Sequence, residues 1–487
     1  MSPITLSYDL AEIVGAAIVT IAVVFALFRI DDTVFDLMYW WTFFRHSRSP
    51  RRGSFDLDEL RARPQQRIAI FVACWHEDAV IDKMIDYAVR AVDYEHFDIL
   101  VGVYPNDEPT RVKVEAAARR YPNVHAVVND KPGPTTKAQN LNCVYRAMRE
   151  IEGDDPFAIC VLHDVEDVIH PLSLLVYNYF VPEAQMLQIP VFPLEYPWYE
   201  FVGWTYADEF AKNHCKDMLL RERLGAFVPS AGVGTAFARD ALDHVAESES
   251  DLFPEGALTE DYQFALRLHE HGLRTSFVLK RLTPQRRGAP ATAAAYVATR
   301  EYFPNKAPAA IRQKSRWVAG ICLQAWQRVG WRGNAATLYM LYRDRRGLIA
   351  NAGAFVGYVV LFAAIALVVW HRVDERAFAP LLPGGTWVWW LLAFVLASTL
   401  LELVQGAGFT TWIYGPKAGL LSIARAPVAA YVNGVATFRA LWTFTASAVR
   451  GVPMQWAKTA HVFPTESTLE TFTREATGGA EEVSQRR

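Results

Sequence analysis

Residues 158–167 read AICVLHDVED, an apolar run followed at once by acidic side chains. The short run Ala158 to Leu162 is typical of a buried strand, so the acids emerge together at one edge of a sheet. Hard carboxylate oxygens there suit Mg²⁺ or Mn²⁺, which bind one or two carboxylates together with substrate phosphates and water. The candidate metal ligands are Asp164, Glu166 and Asp167. Taken alone, such an acidic triplet is more often a solvated loop.

The sequence around this stretch alternates between short apolar runs and amphipathic runs. The predicted strands are Ile68 to Cys74, Ile99 to Tyr104, Val124 to Val128, Ala158 to Leu162 and Leu187 to Val191. The predicted helices are Ala79 to Val92, Pro109 to Arg120 and Lys137 to Ile151. Such alternation predicts an α/β domain with a mainly parallel sheet covered by helices. Ligands of such sheets bind beyond the carboxyl ends of the strands.

Polar residues follow three of these strands. Glu77 comes after the first strand and Asp107 after the second, where carboxylates can accept hydrogen bonds from a nucleotide base or a ribose. Lys137 opens the helix after the third strand, where its ammonium can approach phosphates. The alternative for each position is that the side chain only caps or solvates the first turn of the following helix.

A glycine-bearing stretch, Ser230 to Ala236, allows the backbone to approach a sugar or a diphosphate closely. Gly234 is the residue of this stretch that we expect to contact such a ligand. The stretch lacks the spacing of a P-loop or of a dinucleotide fingerprint. Kinase and dehydrogenase interpretations therefore receive little support.

Thr259, Glu260 and Asp261 begin a predicted helix that runs toward Gly272, and these three are the candidate catalytic residues. A helix N-terminus favours an ionised carboxylate, as a general base requires, whereas burial raises its pKa. A helix cap is the commoner role of such a tripeptide.

Gln313 to Trp317, with the sequence QKSRW, lies on the predicted helix Ala309 to Trp326, just before the membrane-length segments. Arg316 can donate two hydrogen bonds to phosphate oxygens. Trp317 offers a flat face on which a sugar ring can stack. An Arg-Trp pair is otherwise usually a packing or interface feature.

The N-terminal region contains a run long enough to span a membrane, Ile13 to Phe28. The amphipathic stretch Val34 to Phe44 is too short to span, and we expect it to lie in the membrane interface. A positive cluster follows, formed by Arg45, Arg48, Arg51 and Arg52. Such clusters stay in the cytoplasm, so the N-terminus is expected outside and the central domain inside.

Two further runs, Leu348 to Trp370 and Trp387 to Val404, are expected to be a pair of spans. The segment Gly415 to Val449 is apolar but carries charged residues that are costly in lipid, so an interfacial or re-entrant course is favoured over a fourth span. The predicted organisation is an N-terminal membrane region (1–66), a catalytic domain (67–325), a C-terminal membrane region (326–465) and a disordered tail (466–487).

Composition agrees with one aqueous and one lipid compartment. The chain has 487 residues, of which 52% are hydrophobic, and a net charge of −3. A nucleic-acid-binding protein would show a basic surplus, so no nucleic acid is expected. The five cysteines, Cys74, Cys143, Cys160, Cys215 and Cys322, are scattered, and we expect buried thiols in a reducing compartment.

The acidic cluster, the Thr-Glu-Asp tripeptide and QKSRW occur in an order that resembles the active site of processive family-two glycosyltransferases, which include cellulose and hyaluronan synthases. With Trp75 to Glu77 and Trp456 to His461, the chain looks most like the phage adsorption protein B group of inner-membrane enzymes. The resemblance implies a GT-A fold, a UDP-sugar donor and inversion at the anomeric carbon. It implies Asp261 as the base, Asp164 and Glu166 as the metal and diphosphate motif, and Gln313, Arg316 and Trp317 as the acceptor and diphosphate motif.

Two departures from the family pattern are expected to matter. Glu166 replaces the second aspartate of the usual D-x-D motif, which leaves the metal preference open. Members of the group often carry a C-terminal cyclic-di-GMP-binding domain, and this sequence stops soon after His461, so direct regulation by that nucleotide is not expected.

The expected function is transfer of a sugar from a UDP-sugar donor to a glycan acceptor at the inner membrane, with export through a periplasmic or outer-membrane partner. The alternatives are transfer of one sugar to a membrane lipid carrier, and a non-enzymatic membrane scaffold that keeps the fold.

Overall fold

The structure, a computed structural model, describes residues 3–46, 54–55, 57–249, 251–282, 293–373, 381–382, 386–452, 454 and 462–477. The helices are α1 (Pro3–His46), α2 (Leu57–Arg61), α3 (Ile81–Ala91), α4 (Glu108–Arg120), α5 (Lys137–Ile151), α6 (Ser173–Phe180), α7 (Phe201–Lys212), α8 (Met218–Arg223), α9 (Arg239–Ser248), α10 (Glu260–Glu270), α11 (Ala307–Val318), α12 (Ala325–Val329), α13 (Ala335–Val373), α14 (Thr386–Tyr414), α15 (Pro416–Arg450) and α16 (Glu466–Ala476). The strands are β1 (Ser54–Phe55), β2 (Ile68–Ala73), β3 (Phe97–Val103), β4 (Val124–Val128), β5 (Ile159–His163), β6 (Met186–Gln188), β7 (Thr235–Ala238), β8 (Thr275–Phe277) and β9 (Arg281–Leu282).

A seven-stranded sheet in the order β4-β3-β2-β5-β7-β6-β8 forms the centre of the domain predicted over residues 67–325. All pairs are parallel except those of β7, which runs antiparallel to β5 and to β6. The prediction of a mainly parallel sheet is confirmed, and each of the five predicted strands forms. Strand β7 was missed because it begins inside the glycine-bearing stretch, at Thr235, and is only four residues long.

Apolar side chains cover both faces of this sheet. Along β2, Ile68, Ile70 and Val72 pack in one core cluster, whereas Ala69 and Phe71 pack in another. The alternation follows from the two-residue period of a strand. Helices α3, α4 and α6 cover the first face, and α5, α9 and α10 cover the second. Helices on both faces leave the carboxyl ends of β2 and β5 open side by side at one edge.

Within the described part of the chain, three helical segments are long and apolar enough to cross a membrane, namely Asp9–Arg45, Ala335–Trp370 and Trp387–Tyr414. The stretch Val34 to Phe44 does not form a helix of its own, because α1 continues through it without a break, and its interfacial position stays a prediction. The charges at the junction are satisfied by another helix: Asp31 accepts hydrogen bonds from Arg343 and from the Tyr339 hydroxyl of α13. Because these charges are paired, α1 can continue past them as a helix.

Helix α15 is one continuous helix of 35 residues, so the re-entrant form predicted for Gly415 to Val449 is wrong. Two of its polar residues turn toward the catalytic domain instead of lipid. Arg425 is buried and binds Asp208 of α7, and Asn433 donates to Glu209 of the same helix. An interfacial course for α15 stays a prediction.

The expected disorder of the tail is wrong for Glu466–Ala476, which forms α16. Phe472 and Ala476 on this helix are buried against the catalytic domain, and the Tyr87 hydroxyl hydrogen-bonds Thr473. An amphipathic face hidden among many polar residues accounts for the error, since net polarity alone suggests disorder. The segment Trp456 to His461, Arg48, Arg51, Arg52 and residues 478–487 lie outside the described residues.

Candidate active site

A cavity of about 440 Å³ opens at the carboxyl edge of the sheet. Ten of the predicted site residues line it: Glu77, Lys137, Asp164, Glu166, Thr259, Glu260, Asp261, Gln313, Arg316 and Trp317. These residues come from three separate sequence clusters and two strand ends. The fold therefore brings together the groups that the sequence predicted to act as one site.

Lys137 lies in the first turn of α5, which Thr136 caps by accepting a hydrogen bond from the backbone N–H of Gln139. The Lys137 ammonium is 2.5 Å from the Asp164 carboxylate and donates to the Gly232 carbonyl at 3.3 Å. Burial lowers the pKa of Lys137, but Asp164 and Glu260 outweigh burial and raise it above its ordinary value. Lys137 is therefore a fixed cation in the cavity.

Glu260 and Asp261 begin α10, as the sequence predicted. The Asp261 carboxylate accepts a hydrogen bond from the backbone N–H of Tyr262 at 2.7 Å, which fixes its rotamer. Burial raises the pKa of Asp261, although Lys137 opposes the shift. Burial and the charge of Asp261 raise the pKa of Glu260 to about 7. Two adjacent carboxyls thus titrate closer to neutrality than usual.

The glycine that approaches the candidate base is Gly232. Its φ is +76°, and a Cβ there would lie 2.6 Å from the Asp261 carboxylate. Gly234 does not line the cavity. A Cβ on Gly234 would meet the Thr299 hydroxyl at 2.3 Å, so this glycine allows close packing of the loop rather than contact with a ligand.

Two other predicted residues lie outside the cavity lining. Asp107 is buried and accepts a hydrogen bond from the backbone N–H of His76, whose φ is +55°, so it supports the turn after β2. Asp167 is buried beside His163, with 2.7 Å between carboxylate and ring nitrogen, and accepts from the backbone N–H of Asp164. Burial raises the pKa of Asp167 to about 6, although the hydrogen bond with His163 acts to lower it. Asp167 thus positions the acidic loop.

Gln313, Arg316 and Trp317 face the cavity from α11. Aromatic rings of α7 hold the indole of Trp317: its centroid is 6.0 Å from that of Tyr206, edge-on, and 6.2 Å from that of Phe210. The Tyr206 hydroxyl donates to the Gln313 amide oxygen at 2.9 Å. The face available for stacking is therefore held in one orientation.

Close packing also joins α11 to α10. A π-helical turn, Ala319–Gln324, follows α11, and a Cβ on its Gly320 would lie 2.5 Å from the Thr259 hydroxyl. Only a glycine lets the two segments meet this closely. Thr259 therefore helps to fix the distance between the candidate base and the Arg-Trp pair.

The acids at the cavity fit a hard divalent cation by their chemistry. Asp164 and Glu166 both line the cavity, and two carboxylates completed by substrate phosphates and water are typical of magnesium sites. Among the described residues, no group of three or more histidine, cysteine, aspartate or glutamate side chains has the arrangement of a complete metal site. A metal held here would therefore depend on substrate oxygens.

The sequence analysis missed Glu301, a buried residue that lines the same cavity. It follows an irregular segment that pairs with the sheet domain through Val168↔Arg300 and Val191↔Thr299. Burial, then Asp167 and Glu166, raise the pKa of Glu301 well above its ordinary value. The sequence did contain a signal for Glu301. The apolar run Tyr296 to Ala298 comes shortly before it, just as apolar runs come before the acids at the other strand ends.

A polar wall contributed by α8 and α13 was also missed. Arg221 of α8 is buried and pairs with Asp344 of α13 at 2.5 Å, and Asp344 accepts from the Tyr262 hydroxyl at 2.7 Å. All three residues line the cavity. Asp344 stood out little in the sequence because it lies among three arginines, Arg343, Arg345 and Arg346. A membrane-length helix therefore forms part of the site.

The sheet with helices on both faces, and the cavity at its carboxyl edge, agree with the α/β fold class that the sequence predicted. The profile of the family described as "Glycosyltransferase like family 2" matches residues 64–320. The chain belongs to this family. The matched region begins just before β2 and ends just after the Arg-Trp pair, so it includes every site residue that the sequence predicted.

Two curated proteins are similar to most of the chain. Bacteriophage adsorption protein B of Escherichia coli (strain K12) and Bacteriophage N4 adsorption protein B of Escherichia coli O157:H7 are each 36% identical over 462 residues, which is 92% of this chain. The chain spans 62% of the length of these relatives. The similarity agrees with the group that the sequence motifs resemble.

Among solved structures, the mannosyltransferase PcManGT from Pyrobaculum calidifontis, in complex with GDP-Man and Mn²⁺, is 16% identical. The match covers 84% of this chain and 99% of that chain, with a TM-score of 0.48.

Proposed function

We propose that this protein transfers a sugar from a UDP-sugar to the end of a growing polysaccharide, with inversion at the anomeric carbon. The observation that carries the proposal is the convergence of Asp261, Lys137, Arg316 and Trp317 on one cavity with the acids Asp164 and Glu166. Group transfer from a nucleotide diphosphate needs positioned cations, one proton acceptor and a platform for the acceptor sugar. The cavity contains at least one residue suited to each of these roles.

In the proposed reaction, the Asp261 carboxylate accepts the proton of the acceptor hydroxyl while the hydroxyl oxygen forms a bond to the anomeric carbon. The bond from that carbon to the diphosphate oxygen breaks, and UDP leaves with the electron pair. Attack from the face opposite the leaving group inverts the anomeric centre. Lys137 and Arg316 place positive charge where the diphosphate becomes more negative, and Glu77 lies at the strand end assigned to the nucleoside.

We assign Asp164 and Glu166 as the protein ligands of Mg²⁺ or Mn²⁺. Such an ion, when bound, would neutralise charge on the leaving diphosphate. Trp317 and Gln313 are assigned to the acceptor, since the indole is rigidly held and the neighbouring amide is fixed by Tyr206. The adjacent carboxyls of Glu260 and Asp261 keep the base basic enough to act near neutral pH.

The proposal places the enzyme in a bacterial inner membrane with its catalytic domain in the cytoplasm. Three membrane-length helices and the position of Arg343 and Arg346 at the start of α13 support this orientation. Because Asp344 of α13 lines the catalytic cavity, the acceptor end lies beside the membrane helices. This position supports processive extension coupled to export, with a periplasmic or outer-membrane protein completing the route.

Transfer of a single sugar to a lipid carrier is the second candidate, since the same cavity borders the membrane helices. Product length separates the two: a ladder of long products supports polymer extension, and a single lipid-linked product supports the carrier. A scaffold without activity would bind no UDP in a metal-dependent way.

The test uses purified full-length protein in lipid nanodiscs, a panel of UDP-sugars, and Mg²⁺ or Mn²⁺. We expect Asp261→Asn to reduce UDP release by about 10²-fold or more, because the proton acceptor is lost, while UDP binding stays unchanged. UDP release and product size are measured together.

The matched control is Asp240→Asn. Asp240 is exposed in the first turn of α9, and its carboxylate accepts from the next backbone N–H at 2.8 Å, as that of Asp261 does. This control should keep wild-type activity. Full transfer by Asp261→Asn, or equal losses in both variants, would refute the assignment of the base.

A further inference from the structure

A second cavity of about 370 Å³ lies between α11 and α15. Leu258 and Arg316 line this cavity and the catalytic cavity, so the two spaces share a wall. We name the second space the arginine cavity, because Arg312, Arg316, Arg439 and Arg450 line it. The proposed sugar transfer uses only Arg316 of these four.

The helical spacing explains why the arginines meet. Arg439, Thr443, Ser447 and Arg450 recur at three- and four-residue intervals on one face of α15. Arg312 and Arg316 are four residues apart on α11, on the face that looks back at α15. Two guanidinium groups therefore approach the same space from each side.

The positive charge of the arginine cavity is not balanced by acidic side chains in its own wall. Among the described residues that line the arginine cavity there is no aspartate or glutamate. Arg425, about four helical turns before Arg439 on the same helix, shows the contrasting case, because it is buried against Asp208 at 2.7 Å. Arg316 also faces the acids of the catalytic cavity, so the charge of this space comes mainly from Arg312, Arg439 and Arg450. Three like charges around one cavity repel each other, so an anion in the cavity is favoured.

The surroundings of the cavity have the character of a membrane surface. The side chains of Phe438, Leu441, Trp442 and Val449 on α15 are exposed, and Trp442 also lines the cavity. The same helix packs against membrane-length α13, where a Cβ on Gly434 would lie 2.3 Å from Phe355. Aromatic and basic side chains together are typical of segments at the level of lipid headgroups.

We propose that the arginine cavity binds a phosphate or diphosphate group, held by Arg312, Arg439 and Arg450, with Arg316 on the wall that it shares with the catalytic cavity. Guanidinium groups bind phosphate oxygens through paired hydrogen bonds, and basic pockets beside membrane helices bind lipid head groups. The group belongs to a lipid whose chains lie along the exposed apolar face of α15. Because Arg316 faces both cavities, a bound phosphate places its carrier next to the sugar-transfer site. The binding site itself does not depend on the proposed sugar transfer.

The test is binding to the full-length protein in neutral detergent, with radiolabelled farnesyl phosphate and radiolabelled inorganic diphosphate as probes. We expect farnesyl phosphate to bind, and Arg439→Gln and Arg450→Gln each to weaken it by about tenfold or more, since each removes a charged donor. The control is Lys417→Gln, which removes an exposed cation of the same helix that lies outside the cavity. It should bind like the wild type.

UDP binding reports on the integrity of the catalytic cavity, and all three variants should retain it. If one cavity variant fails to fold, the other still tests the site. Binding of inorganic diphosphate alone would support the phosphate site but assign it to a soluble anion. Failure of both probes to bind, or unchanged binding in Arg439→Gln and Arg450→Gln, would overturn the proposal. Loss of sugar transfer with intact farnesyl phosphate binding would count against the proposed function only.

Discussion

At the scale of single residues, the candidate site depends on carboxyls kept in an unusual state. Glu260 and Asp261 are neighbours on α10, both in the cavity, and the Lys137 ammonium is the strongest compensating charge for each. Burial disfavours their ionised forms. The protein therefore keeps two charges that cost stability at the place where a base is needed, as functional sites often do.

Removing one of these carboxyls should stabilise the protein at high pH. The pKa of Glu260 is about 7 in the folded protein and 4.5 in its ordinary state, so the folded state holds the proton more tightly. The stabilisation that comes from this tighter proton binding is fully present below pH 4.5 and is lost as the pH rises through 7. Glu260→Gln cannot ionise, and should therefore gain up to about 3 kcal/mol over the wild type at pH 8.

The measurement is the melting temperature of both proteins in detergent from pH 5 to pH 8. The variant should melt higher at pH 8, and the difference should shrink toward pH 5. Glu270→Gln makes the same change at the exposed end of the same helix, and should show no such trend. A difference that stays constant at every pH would show that ionisation of Glu260 is not the cause.

At the scale of elements, α15 shows how a helix rich in apolar residues tolerates charge. Its buried arginine, Arg425, reaches Asp208 on α7 through two hydrogen bonds of 2.7 Å. Lys314 of α11 binds Glu209 of α7 at 2.6 Å and Asn433 of α15 at 2.9 Å. These contacts join α15 to the domain that carries the candidate site. Helix α15 is therefore part of the frame that holds the Arg-Trp pair.

Breaking the ion pair between Asp208 and Arg425 should lower the free energy of unfolding more than breaking an ion pair on the surface. Asp208→Ala leaves the Arg425 guanidinium buried without its carboxylate, which typically costs about 3–5 kcal/mol. Asp82→Ala removes the partner of Lys113, and both side chains of that pair are more than a third exposed, so less than about 1 kcal/mol is expected. Thermal unfolding in detergent compares the two variants, and similar melting temperatures would contradict the structural role of Asp208.

At the scale of the whole molecule, the membrane helices and the catalytic domain form one connected structure. Asp31 and Asp32 of α1 pair with Arg343 and Arg346 of α13, so two membrane-length helices are joined at the end nearest the catalytic domain. Helix α13 also carries Asp344, which lies at the cavity wall. Under the proposed function, the orientation of these helices decides on which side of the membrane sugar transfer occurs.

Cysteine labelling tests that orientation. All five native cysteines are buried, so labelling of the wild type by an impermeant maleimide should be low. Val373 is 82% exposed at the end of α13, and Lys417 is exposed at the start of α15. In spheroplasts, Val373→Cys should react at once, whereas Lys417→Cys should react only after the membrane is broken. Labelling of both from one side would contradict the proposed topology.

Much of the site was predictable because local sequence determines strand ends and helix starts. The acids after β5, the start of α10 and the Arg-Trp pair on α11 are each defined by a few adjacent residues, and the structure places most of them in one cavity. The sequence could not separate Asp164 and Glu166 from Asp167, because all three follow the same strand. Only the hydrogen bonds to His163 and to the Asp164 backbone show that Asp167 turns away.

The sequence by itself determined the parallel α/β domain, the membrane-length segments and the family, because hydrophobic periodicity and short motifs are local properties. Tertiary structure alone decided that α15 is continuous, that α16 docks on the catalytic domain, and that Glu301 and Asp344 join the cavity. Each of these depends on side chains far apart in the sequence, such as Asp208 with Arg425 or Tyr87 with Thr473. A buried charge or an amphipathic face is stable only with its partner in place, and the choice of that partner is made by the fold.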